Sequence, residues 1–182
     1  MKILILGLNF SPELIGVGRY TGEMAAWLGK HGHDVRVITA PPYYPAWQIE
    51  EPYCAKRYRF EHQENLTVLR CPLWVPKTPT TLTRILHLLS FALSSAPSAI
   101  WQGMTWRPDI VWTVEPTALA APAAWVSARL GDSTACLHIQ DLEVEAALGL
   151  RMLRKSWLIG LSAWLYGWLL RRFDHVLSLI HI

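Results

Sequence analysis

Short apolar runs alternate along this chain with longer stretches whose apolar residues recur at helical spacing. Runs at Lys2–Leu8, Val35–Thr39, Leu66–Arg70, Asp109–Val114, Thr134–Ile139 and His175–Ile180 predict strands. Helical spacing runs through Gly18–His31, Thr81–Trp101, Thr117–Leu130 and Ser156–Arg172, with a shorter turn near Leu142–Leu148. Alternation of this kind predicts an α/β fold, a Rossmann-like, doubly wound, mostly parallel sheet. The 182 residues suit one substantial core. Between Ala40 and Gln63 the pattern lapses into prolines and tyrosines, which predicts one long irregular insertion.

The opening segment carries the most chemistry. A buried strand is followed by Asn9-Phe10-Ser11-Pro12-Glu13, then by the glycine-spaced Gly16-Val17-Gly18-Arg19-Tyr20, a helix pattern and a second strand. Dinucleotide binding would require G-x-G-x-x-G directly after the strand and an acid closing the second strand. Gly16, Gly18 and Gly22 are spaced one residue too long, and the second strand ends in Thr39-Ala40. A nicotinamide or flavin reading is therefore poor. A helix N-terminus at this place still offers unpaired N–H groups and a positive dipole end to an anion, although the glycines alone are equally compatible with a tight turn.

Several segments together resemble family-4 glycosyltransferases of the GT-B fold, in particular the bacterial exopolysaccharide subgroup. They are Asn9–Glu13 with Gly16–Glu23, His31–Val35, Thr39–Pro45, Arg70–Lys77, Leu137–Glu143 and Phe173–Val176. The resemblance runs to about Ser178 and implies the N-terminal, acceptor-side half of a GT-B fold over residues 1–182. It implies a retaining transfer from a nucleotide sugar to a lipid-linked saccharide or growing exopolysaccharide. No cofactor or metal is implied. In the family a second Rossmann-like domain follows, with a Glu-x7-Glu motif that has no counterpart here. A truncated or frame-altered fragment, inactive by itself, is the expectation.

Composition narrows the partners. Hydrophobic residues make up 52% and charged residues 17%, which is greasy for a soluble domain. The net charge of +3 and the absence of a Lys/Arg run argue against nucleic acid. Cys54, Cys71 and Cys136 show neither metal-ligand spacing nor an even count, which favours a reducing, cytoplasmic setting. The uncharged stretch between Arg84 and Arg107 is too polar and broken to predict a spanning helix. In Ser156–Leu170, Trp157, Leu161, Trp164 and Trp168 form one aromatic stripe, closed by Arg171 and Arg172. That pattern suits either a helix packed in protein or a contact with the inner face of the cytoplasmic membrane.

A departing nucleotide diphosphate requires N–H donors and cations where its charge develops. Gly16, Val17 and Gly18 are candidate backbone donors, Arg19 is a candidate cation, and Tyr20 is a further candidate contact. A side chain at Gly18 is expected to block ligand approach while sparing the fold. Strand Thr134–Ile139 delivers His138, Gln140 and Asp141 to the sheet's carboxyl end, with His138 and Gln140 on one face. These are the catalytic candidates; the family more often carries a histidine at the position of Gln140. Asp141 could orient an acceptor hydroxyl, aided by Glu143 or Glu145, and Glu115 is a second sheet-end candidate. A core role for His138 and a helix-end role for Glu115 compete with these readings. Two other functions stay open: an α/β nucleotide-sugar enzyme such as an epimerase, and an inactive module that binds membrane or protein.

Overall fold

The computed structural model describes residues 1–63, 65–140 and 156–178. In chain order the elements are β1 (Lys2–Gly7), α1 (Gly16–Lys30), β2 (Asp34–Thr39), β3 (Arg59–Gln63), β4 (Leu66–Arg70), α2 (Thr81–Thr105), β5 (Ile110–Val114), α3 (Ala121–Gly131), β6 (Thr134–Ile139), α4 (Ser156–Leu170) and β7 (His175–Ser178). They build one seven-stranded sheet in the order β3-β4-β2-β1-β5-β6-β7, parallel except for β3. β1 lies at the centre, pairing Ile5 with Val37 of β2 on one side and with Trp112 of β5 on the other. From β1 the chain winds outward to β4, then crosses back to β5. The β1/β5 boundary is therefore the topological switch point, where open α/β sheets bind ligands. The predicted doubly wound α/β fold is what forms.

Both faces of the sheet are buried, which is why its central strands read as continuous apolar runs. One face carries Ile3, Ile5, Val35, Val37, Val68 and Val114 against Ala25, Val17, Met24 and Leu28 of α1. The other carries Leu4, Leu6, Ile38, Leu69, Val111 and Leu137 against α2, α3 and Leu169 of α4. Successive side chains of β1 thus serve opposite cores, as a period of two demands. A capping box starts α2: Thr83 N–H donates to Thr80 Oγ1 at 3.3 Å, and Thr80 N–H to Thr83 Oγ1 at 2.7 Å.

Some boundaries differ from the sequence reading. The stretch Ala40–Gln63 is not irregular throughout, because Arg59–Gln63 forms the antiparallel edge strand β3. Its residues are mostly exposed on both faces, so no alternation of apolar and polar positions announces it. α3 begins at Ala121 rather than Thr117, since Thr117 closes a turn through its carbonyl to Ala120 N–H and its hydroxyl to Val114 O. α2 continues past Trp101 to Thr105. The turn expected near Leu142–Leu148 lies outside the described residues.

α2 and α3 meet at Gly103. A β-carbon there would collide with the carbonyl and hydroxyl of Ser127, whose Oγ donates to Ala99 O at 2.7 Å. Alanine is the better helix former by about 1 kcal/mol, yet here the collision outweighs it. Gly103→Ala should lower stability by about 1–3 kcal/mol, read as a fall in the urea midpoint, whereas the exposed neighbour Met104→Ala should shift it little.

Candidate functional site

At the carboxyl ends of β1, β2 and β4, two buried charged side chains fix the loops. Glu13 closes the turn after β1, with its N–H donating to Phe10 O at 3.2 Å. Its carboxylate is buried and accepts from Tyr43 N–H at 3.1 Å, Tyr44 N–H at 3.0 Å and Asn9 Nδ2 at 2.9 Å. The β1 loop is thereby stapled to the loop after β2. Burial pushes the Glu13 carboxyl above its ordinary pKa; its hydrogen bonds from Tyr44, Asn9 and Tyr43 and the charge of Arg70 pull the other way without cancelling the rise. Arg70, at the end of β4, is equally buried. Its guanidinium donates to Ser11 O at 2.6 Å, Ala40 O at 3.0 Å and Glu61 of β3 at 2.9 Å, and stacks on Tyr53.

These staples frame a cleft of about 160 Å³ at the switch point. Leu8 and Asn9 after β1, Pro116 after β5 and the first turn of α1 form its floor, and Tyr43, Tyr44 and Trp47 form an aromatic wall. Arg84 and His87 enter from α2. Ile15, the residue capping α1, has no side chain that can satisfy the helix's first N–H groups. Those donors and the dipole's positive end are left for an anion. The guanidinium of Arg84 lies 5.5 Å from the centre of the Trp47 ring, which holds a cation beside that helix end.

His87 is 1% exposed, its ring packed against Tyr43 and Trp47 at centroid distances of 4.7 and 5.3 Å. Nδ1 lies 2.7 Å from the carbonyl oxygen of Trp74. A carbonyl can only accept, so Nδ1 carries the proton and Nε2 presents a lone pair. Nε2 is buried and has no partner among the described residues. Burial lowers the pKa of this imidazole and the Trp74 bond opposes the shift, the burial effect being the larger.

Of the residues singled out from sequence, Gly16, Val17 and Gly18 line the cleft. Gly16 occupies the left-handed region at φ +62°, as a turn glycine does. Gly18 has a different reason. It sits inside α1, and a β-carbon there would come within 2.8 Å of Glu13 Cβ and 2.6 Å of Glu13 Oε2. A side chain at this position strikes the Glu13 staple, so the expectation that the fold is spared is corrected. Arg19 does not face the cleft but pairs with Glu23 at 2.8 Å on the exposed side of α1, and Tyr20 is exposed beside it. His138 and Gln140 do share a face: Gln140 Nε2 lies 3.3 Å from His138 Nδ1, and the His138 ring meets Trp112 edge-on. Burial lowers the His138 pKa. Glu115 is buried at the end of β5, its N–H donating to His138 O at 2.9 Å. None of these three lines the cleft. Asp141, Glu143 and Glu145 lie outside the described residues.

The model of the glycosyl transferase 4-like domain family matches residues 16–181, nearly the whole chain. The chain belongs to this family. Over 156 residues it is 54% identical to a colanic acid biosynthesis glycosyl transferase, WcaI, of Escherichia coli strain K12, covering 86% of this chain and 38% of that protein. In fold it is similar to the catalytic domain of starch synthase IV from Arabidopsis thaliana, solved bound to ADP and acarbose. That likeness has a TM-score of 0.54 at 16% identity and covers 76% of this chain and 34% of the other. The chain thus spans well under half the length of both.

Within this family-4 domain, sequence reasoning missed Glu13, Tyr43, Tyr44, Trp47, Arg84 and His87 as parts of the site. Glu13 and the tyrosines stood in the segments that carried the resemblance, and that was their only signal. Arg84 and His87 sit in an otherwise apolar helix pattern, three residues apart on the face that α2 turns toward the cleft. The Glu13 staple has a measurable pH signature. Because its pKa is higher folded than unfolded, its contribution is greatest below the unfolded value of about 4.3 and declines as pH rises through the folded value. The stability difference between wild type and Glu13→Gln should therefore move against wild type with rising pH, in urea midpoints taken across that range. The opposite slope would show that the three donors outweigh burial.

Proposed function

We propose that this domain forms the acceptor-side half of a glycosyltransferase that moves a sugar from a nucleotide-sugar donor to a lipid-linked saccharide or growing exopolysaccharide. The observation that carries the reading is the cleft at the β1/β5 switch point, where the open N-terminus of α1, Arg84 and an aromatic wall converge. Such a surface suits a sugar beside an anionic group. The N–H groups and cation meet the charge, while Trp47 and Tyr44 offer flat apolar faces to a pyranose ring. Family membership supports retention of anomeric configuration and a transfer that uses no metal or cofactor. It also supports a second, donor-binding half facing this cleft. An epimerase would require a nicotinamide site, and the first turn of α1 lacks the glycine spacing for one.

Complementation tests the reading whatever the donor sugar and acceptor are. In the Escherichia coli relative, the matching segment is exchanged for the corresponding 156 residues of this chain. The chimera should restore polysaccharide output to a strain lacking the relative, and Arg84→Ala should abolish the rescue. A folded, expressed chimera that fails where the intact relative succeeds would overturn the reading.

We also propose that the domain works on the cytoplasmic face of the membrane, seated by α2 and α4. Leu82, Ile85, Leu86, Leu89 and Leu93 are exposed along one side of α2, and Trp164, Leu165 and Trp168 are exposed on α4. No Asp or Glu occurs from residue 65 to residue 108, whereas Lys77, Arg84 and Arg107 are exposed there. Among the described residues no helix is long and apolar enough to cross a membrane. The arrangement suits a helix lying in an anionic interface. On α4 the Arg172 guanidinium stacks on Trp168 at 4.5 Å, and the side chains of Trp157 and Leu161 lie outside those described. The chain should co-sediment with anionic vesicles and detach in high salt. The Leu86, Leu89 and Leu93→Ser triple variant should bind at least about tenfold more weakly with its circular dichroism unchanged. Equal binding by that variant would remove α2 from the proposal.

A further inference from the structure

We propose that His87 Nε2 receives a hydroxyl hydrogen bond from the saccharide in the cleft, which makes His87 a ligand-binding residue of the acceptor side. The inference rests on the glycosyltransferase reading and adds to it a residue and a ligand polarity. Three features point the same way. The imidazole is anchored through Nδ1 to Trp74 O at 2.7 Å, so it cannot turn to hide its other nitrogen without breaking that bond. Nε2 is buried and lacks a partner among the described residues, a state that native folds seldom keep without a use for it. His87 belongs to the cleft wall beside Gly16, Trp47 and Arg84.

The chemistry of Nε2 selects its partner. With the proton on Nδ1, Nε2 can accept but not donate. A phosphate or carboxylate oxygen carries only lone pairs and would be repelled. The anionic part of a ligand is instead drawn to the first turn of α1 and to Arg84, both of which are donors. The group that meets His87 must bring its own proton, and a sugar hydroxyl does so. The cleft therefore offers two kinds of partner, donors for an anion and, at His87, an acceptor for a hydroxyl. The ligand class that matches is a pyranose carrying a phosphate or diphosphate on its anomeric carbon. Tyr43, Tyr44 and Trp47 line the same cleft and suit the flat faces of the ring.

The test uses the chain with uniform ¹⁵N labelling and three probes: hexopyranosyl 1-phosphates, the matching methyl hexopyranosides, and sulfate, an anion with no hydroxyl. Both sugar probes should move the His87 Nε2 resonance in the direction of an accepted hydrogen bond, and sulfate should move only the Gly16–Gly18 amides. His87→Asn keeps a donor near Nδ1 and deletes the acceptor at Nε2; it should bind hexopyranosyl phosphate about tenfold more weakly and sulfate unchanged. His87→Gln places a polar atom near Nε2 and should stay within about threefold of wild type. Amide shifts at Gly16–Gly18 with hexopyranosyl phosphate, a stationary Nε2 and an unaltered His87→Asn affinity would overturn the role of His87 and leave the glycosyltransferase reading standing. Cleft resonances that answer sulfate but neither sugar probe would overturn both. Should His87→Asn not fold, the wild-type Nε2 resonance decides, movement with both sugar probes supporting the role and a stationary signal overturning it.

Discussion

The cleft end of this domain depends on a carboxylate and a guanidinium that have been taken out of water. Glu13 and Arg70 are both almost fully buried, and neither is left without hydrogen bonds. A buried charge is tolerated only when its partners are complete. Here the partners are loop backbone groups: the N–H groups of Tyr43 and Tyr44 for Glu13, and the carbonyls of Ser11 and Ala40 for Arg70. Each charge thus converts its own desolvation into a constraint on loop position. The loops cannot drift apart without stranding one of the two. A binding surface assembled from three separate loops acquires the rigidity that its position outside the core would otherwise deny it.

The same staple explains the glycines of α1. Gly18, Gly22, Ala25 and Gly29 all lie on the helix's buried side, and a β-carbon at Gly22 would approach Ser11 Cβ to 2.7 Å. The small residues let α1 settle against the β1 loop closely enough for its first turn to reach the cleft. The glycine spacing that resembles a phosphate loop is thus chiefly a packing device, with Gly16 alone serving the turn. That close approach brings the helix end to the cleft, and the N-cap residue Ile15 gives its first N–H groups no side-chain partner.

Element order and sheet direction were legible because every central strand is buried on both faces and the segments between them carry apolar residues at helical spacing. β3 was not legible, since a polar edge strand has no core to mark its alternation; its register is set by main-chain pairing and by Glu61 bound to Arg70. The site was legible only in part. His138 and Gln140 were placed on one face by alternation alone, and they do meet. Arg19 was misdirected by adjacency, for it follows Gly18 in sequence but points a helical turn away and finds Glu23. His87 and Arg84 escaped notice because a helix pattern shows which residues face inward but not what inward holds. Here the inner side of α2 meets Trp47, from a loop whose path no local signal sets.

α2 consequently has two unlike sides with one electrostatic consequence. Its inner side carries Phe91, Ala92, Ala99 and His87 into the core and the cleft, while its outer side leaves leucines exposed with basic residues near both ends. A surface that seats the outer side on an apolar phase also lowers the dielectric around the cleft's rim. Arg84 lies on the first turns of that helix, so its attraction for an anion strengthens as water is excluded. The acceptor would then meet its strongest cation when the domain is seated, and a weaker one in free solution. On the proposed seating, binding of surface and binding of ligand would be coupled through a single helix, with no conformational change required.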